Sequence, residues 1–127
     1  MNGDVKLEKD GTPKFFWSSE WSPICGHWFW NNHYGAKSFC NKLGYTNGKQ
    51  YGYGADQTYS EDAIRIGLCS DGQNLESCGG SCNDKGVGNG CVKCAAGEKV
   101  KITIRCEGHD QITESSCKGN DETLKVF

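Results

Sequence analysis

The chain is poor in the residues that usually build a core. Hydrophobic residues make up 35% of its 127 positions, with one Met and two Pro. The scarcity of Pro excludes a Pro-rich linker and, despite 18 Gly, a collagen-like repeat. Long apolar runs are missing too. The longest clusters, around Phe15-Phe16-Trp17 and Trp28-Phe29-Trp30, are far too short to span a bilayer. Excess charge of one sign is also lacking. Fourteen Lys+Arg against sixteen Asp+Glu give a net charge of -2, which argues against a basic nucleic-acid binder. No Asn-x-Ser/Thr triplet occurs, so N-glycosylation is not expected. The first twenty residues interleave charges with short apolar groups and do not read as a leader; a secreted protein would present this chain in mature form.

What is abundant is cysteine, with nine residues. A chain this size forms one domain, and cross-links supplement a core thin in apolar residues. The composition points to a small disulfide-stapled domain from an oxidising compartment. In a reducing compartment the same residues would instead suggest metal. Cys78-x3-Cys82 and Cys91-x2-Cys94 have tolerable spacing for a closed zinc cage, although the disulfide reading accounts for more of the cysteines.

Local patterns place the elements. Val5 and Leu7 alternate with Lys6 and Glu8, as in a strand with one buried face. Turn signals follow in Lys9-Asp10-Gly11-Thr12-Pro13, and Phe15-Phe16-Trp17 closes a hairpin. Trp21 to Cys25 is extended. Ala36, Phe39, Cys40 and Leu43 fall on one helical face, predicting a helix from about Tyr34 to Leu43, started by Asn31 or Asn32 and ended by Gly44. Asn47 to Thr58, rich in Gly and Tyr, is expected to be a long irregular loop. Ile64, Ile66 and Leu68 predict a strand ending at Cys69, and Leu75 to Cys78 a helical turn. The Gly-rich segment from Cys78 to Cys94, with four Cys, is expected to be held by cross-links. Val100, Ile102, Ile104 and Cys106 alternate with Lys101, Thr103 and Arg105, the clearest strand signal in the chain. A polar tail follows.

Trp21-Ser-Pro-Ile-Cys25, Ala36-x-x-x-Cys40-x-x-Leu43-Gly44-Tyr45, Ile64-Arg-Ile-Gly-Leu-Cys69 with Leu75-Glu-Ser-Cys78, and Val100 to Cys106 together resemble the motifs of the scavenger receptor cysteine-rich family. The resemblance covers about residues 4–108 and leaves 109–127 as the tail. It implies an α+β, small disulfide-rich fold: a curved, mostly antiparallel sheet cradling one helix. It also implies that Cys40 pairs with Cys106, Cys69 with Cys78, and Cys25 with Cys91 or Cys94. Cys82 and the remaining one of Cys91 and Cys94 join the expected disulfide set without a fixed pairing. Nine is odd, so one thiol is left over, and Cys117 in the tail is the expected one, free or bonded to a second chain as a disulfide-linked dimer. Where many family members carry a pair of Asp after the first Cys, Gly26-His27 stands here, and Gly67-Leu68 replaces a further acid. The family's calcium-assisted binding is therefore not carried over, and no cofactor or metal is expected.

The remaining residues point to binding rather than chemistry. Trp28 and Trp30 flank Phe29 in a segment read as extended, where alternation exposes at least one ring, and Tyr34 follows. Tyr51 and Tyr53 lie in the expected loop. Lys101, Thr103 and Arg105 share one expected strand face, which suits an anionic ligand. Asp56, Glu61, Asp62, Asp71 and Glu76 lack the spacing of a calcium loop and read as solvated acids. His27 sits two residues from Cys25, but Cys25 is needed for a bridge, and neither His33 nor His109 has a partner at motif spacing. The expected function is an extracellular, non-catalytic recognition module for a protein or glycan ligand, with no nucleic-acid partner and no membrane insertion. The alternative is a secreted structural, adhesive or toxin-like protein on the same scaffold.

Overall fold

The computed structural model describes residues 1–51, 57–79 and 93–109. Strand β1 (Val5–Leu7) pairs antiparallel with β2 (Pro13–Trp17), and β2 with β3 (Glu20–Cys25). The β1–β2 turn closes on Gly11 at φ +92°, and the Asp10 carboxylate accepts the Thr12 amide at 2.9 Å. The β2–β3 hairpin turns on Ser18 and Ser19, both at positive φ. Its two-residue loop has the twist that such hairpins need, without the usual Gly or Asn. Helix α1 (Tyr34–Lys42) follows, then β4 (Tyr45–Tyr51), the two-residue β5 (Ile64–Arg65) and β6 (Thr103–His109).

The strands divide between two sheets. One is mixed, in the order β1-β2-β3-β5, with β5 parallel to β3; the other is an antiparallel ribbon of β4 and β6. Helix α1 packs on the ribbon. The result is a small disulfide-rich α+β fold. Phe15, Ile24, Phe29, Ala36, Phe39, Ile66, Leu75, Ile102 and Ile104 fill the main core. Three disulfides join its parts: Cys25–Cys94, Cys40–Cys106 and Cys69–Cys78. These agree with the pairings implied by the resemblance, and Cys94 takes the place left open between Cys91 and Cys94. Cys78 and Cys94 are thereby unavailable to a zinc cage. Cys82, Cys91 and Cys117 lie outside the described residues.

Several expectations are corrected. Asn47 to Tyr51 is not loop but the last five residues of β4. Gly48 reads as a turn signal in sequence, yet here it is a packing requirement. A Cβ at this position would overlap the Cys40 Sγ and lie 2.6 Å from the Ala36 carbonyl, so only Gly lets the strand meet the helix. The strand expected through Leu68 stops at Arg65, because Gly67 at φ +88° turns the chain and leaves Leu68 exposed. Helix α1 ends at Lys42. Leu43 is also exposed, and Gly44 at φ +93° reverses the chain as expected. The segment Phe29–Asn31 is a 3₁₀ turn, so Trp28, Phe29 and Trp30 do not simply alternate. Strand β6 runs one residue past the expected end of the domain, to His109, and 110–127 lie outside the described residues.

Candidate recognition surface

The turn from Gly26 to Asn31 connects β3 to α1 and sorts the three aromatics by its shape. The Gly26 amide donates to the Val100 carbonyl at 2.8 Å, and the Trp30 amide to the Gly26 carbonyl at 2.9 Å. The Trp30 ring lies over Gly26, where a Cβ would overlap it. Trp30 is half-buried and packs against both the main core and a second cluster of Cys25, Cys94, Tyr59, Ala63 and Val100. It packs as a plug between the two cores, with only part of its surface left outward. Phe29 is fully buried. Trp28 alone faces out, 41% exposed, with the His27 ring edge-on at 5.5 Å.

Trp28 also has φ +68°. Left-handed backbone disfavours a bulky side chain, and such conformations persist only where surrounding structure imposes them, at about 1–3 kcal/mol each. Here the imposing contacts are the hydrogen bonds of the turn and the rings that follow Trp28, buried Phe29 and half-buried Trp30.

Tyr34 (44% exposed) and Tyr51 (42%) are the other outward aromatics among the expected contacts. Gln50 ties their elements together. Its amide donates to His33 Nδ1 at 3.3 Å, and its Nε2 to the Asn32 carbonyl at 2.7 Å. The start of α1 and the end of β4 are thus joined. The N-cap of α1 is His33, with no side-chain cap bond, rather than the expected Asn31 or Asn32; Asn32 stands one residue earlier, where its side chain accepts the Tyr34 amide at 3.0 Å. Tyr53 lies outside the described residues. His33 Nδ1 is occupied as an acceptor and Cys25 is in a disulfide, so the Cys25–His27 pair considered for nucleophilic chemistry has no thiolate.

The two expected cations separate. Arg105 is exposed on β6, directly opposite Lys49 on β4. Lys101 precedes the strand, is half-buried and lines an open cleft of about 440 Å³ with Glu8, Asp10, Thr12, Lys14 and Glu61. In that cleft Lys14 pairs with Glu61 at 2.7 Å. The Thr12 amide, then its hydroxyl and more weakly Lys101, hold the Asp10 carboxyl below the usual value of 3.8. Sequence reasoning missed this cleft because its walls come from residues far apart in the chain. The other acids also have separate engagements: Asp71 pairs with Lys37 at 3.0 Å, and Asp62 accepts the Ala96 amide at 2.9 Å. Among the described residues no three His, Cys, Asp or Glu side chains gather to hold a metal ion.

Tyr59, just past the Gly- and Tyr-rich segment, is a buried strut. Its hydroxyl donates to the Ile24 carbonyl at 2.7 Å and accepts the Ile102 amide at 3.2 Å, bridging β3 to the approach of β6. Burial raises its pKa well above the ordinary 10.0. A raised folded-state pKa means that stability is full below pH 10 and falls as pH rises, because the unfolded chain loses its proton first. Tyr59→Phe is expected to cost about 1–3 kcal/mol at neutral pH, since it orphans a buried carbonyl and amide, and to remove this part of the alkaline decline. Urea unfolding at pH 7 and pH 11 checks both; an unchanged alkaline slope in the variant contradicts the assignment.

Compared with known proteins, the chain matches no family model and no curated protein.

Proposed function

We propose that this chain is an extracellular recognition module of the scavenger receptor cysteine-rich type, which binds a protein or glycan ligand by surface complementarity and performs no chemistry. The observation that carries this reading is Trp28: a large aromatic held outward in left-handed backbone, on a turn clamped between two buried cores. Rigid exposed Trp and Tyr side chains are the usual energetic centres of recognition surfaces, and Tyr34 and Tyr51 extend the set. The three disulfides support the family reading, because they follow the pairing that the resemblance implies. They also support an oxidising, extracellular setting, where such bonds persist. No helix among the described residues is long and apolar enough to cross a membrane.

The test is an array of glycans and of secreted and cell-surface proteins, probed with the wild-type chain and with Trp28→Gly. Glycine relieves the positive φ while giving up a partly buried ring, so unfolding free energy should change by less than about 1 kcal/mol. Binding should weaken by about 2 kcal/mol or more, roughly 30-fold. Equal binding by the variant, or no binding by the wild type, would sink the reading.

A further inference from the structure

The outer face of the β1-β2-β3 sheet carries an aromatic corner that already holds a cation. Along β1, Val5 and Leu7 pack on the core, so alternation turns Lys6 outward. The register Lys6↔Lys14 and Phe16↔Trp21 sets all four of these residues on that outer face. The Phe16 and Trp21 rings meet at 61° with centroids 5.2 Å apart, and the Lys6 ammonium stands 4.5 Å from the Trp21 centroid. Both rings are half-buried and held by their strands, whereas Lys6 is exposed. Lys6 makes no ion pair with any described residue, while Lys14 pairs with Glu61 at 2.7 Å.

A single Lys over a Trp is common on protein surfaces. What sets this contact apart is the second ring and the charge around it. Asp4 and Glu8, two residues to either side of Lys6, share its face. The Asp4 carbonyl accepts the Phe16 amide at 2.9 Å, and its carboxylate takes the exposed Met1 amine at 3.1 Å. Beyond Lys14 the face opens into the cleft of about 440 Å³, which Glu8 also lines. Two rings at an angle with an acidic rim select a cation.

The resident cation is a weak occupant, because a Lys ammonium is strongly hydrated and this one is exposed. A methylated ammonium suits aromatic faces better. Its entry would leave the freed Lys6 beside a like charge and directly opposite Lys14. A ligand that also brings an anion gives Lys6 a partner and removes that cost. The neighbours of the rings are charged rather than apolar, which suits a soluble ligand and not a bilayer surface. We infer that the Phe16–Trp21 corner binds a small soluble zwitterion in which a methylated ammonium stands near an anionic group, as in phosphocholine, with Lys6 moving from the ring to the anion. The site uses none of the residues of the Trp28 surface.

The isotope-labelled, oxidised full chain is titrated with phosphocholine and with choline, following the Trp21 indole N–H resonance. The wild type should show a saturable shift with both, at about tenfold lower concentration for phosphocholine. The decisive variant is Lys6→Ala, at an exposed position. Choline should bind it about two- to fivefold more tightly, because the competing cation is gone. Phosphocholine should lose most of its advantage over choline, because its anion has lost a partner. A merely structural Lys6 would change both ligands alike. Trp21→Leu should bind neither. A wild-type Trp21 resonance that answers to neither ligand overturns the inference, as does a Lys6→Ala chain that keeps the wild-type preference. Binding to phosphatidylcholine vesicles without binding of free phosphocholine overturns it too. A ligand captured through Trp28 with a silent Trp21 overturns this inference and leaves the recognition reading standing; phosphocholine binding with empty protein and glycan arrays does the reverse.

Discussion

The Cys40→Ala, Cys106→Ala double variant is expected to lose about 4 kcal/mol of unfolding free energy in the chain-entropy description. The bond joins positions 66 residues apart and connects α1 to β6, so its removal frees just over half the chain in the unfolded state. Domains of this size have about 5–15 kcal/mol in total, so the variant should be close to unfolding at body temperature. The shorter Cys69–Cys78 bridge spans 9 residues and should cost less, about 2.5 kcal/mol on removal. Both members of a bridge are replaced so that no buried thiol is left free to form a new one. Denaturant unfolding under oxidising conditions measures the two losses. A smaller loss for the long bridge than for the short one would contradict the ranking.

Phe29→Ala is expected to cost about 3–5 kcal/mol, as for other fully buried aromatics. The Phe29 ring fills the space over Gly35, where even a Cβ would overlap it, so the cavity has helix backbone as one wall and little freedom to collapse. The contrast with the adjacent position sharpens the test. Trp28→Gly should leave stability nearly unchanged and weaken binding, whereas Phe29→Ala should lower stability. A loss below about 1.5 kcal/mol for Phe29→Ala would mean that the turn is not clamped by its buried ring. Nothing would then hold Trp28 in strained backbone from that side.

Much of the framework is legible in sequence because it depends on short-range pattern. The alternation at Val5 and Leu7, the helical face of Ala36, Phe39 and Cys40, and the left-handed Gly44 are each set by neighbours a few residues away. The site is less legible. Trp28 and Trp30 have the same side chain and similar surroundings in sequence. What separates them is the 3₁₀ turn and the closeness of Gly26 to the Trp30 ring, which depend on Val100 and Ile102 arriving from the far end of the domain. Asn47-Gly48 has the local signature of a turn, and only the approach of α1 makes Gly48 a strand residue. That misreading hid Lys49, because alternation with Tyr51 and pairing with Arg105 exist only once the segment is a strand.

The sequence by itself determined the class of molecule. A low apolar content with nine cysteines requires cross-links, balanced charge argues against a nucleic-acid binder, and periodicity places most strands and the helix. Tertiary structure decided which aromatics face solvent, which cations stand opposite one another, and that Tyr59 is a strut rather than a contact. The physical reason is range. Burial and cross-strand register are properties of pairs distant in the chain, 43 residues for Tyr59 and Ile102 and 66 for Cys40 and Cys106, and local propensity carries no information about them.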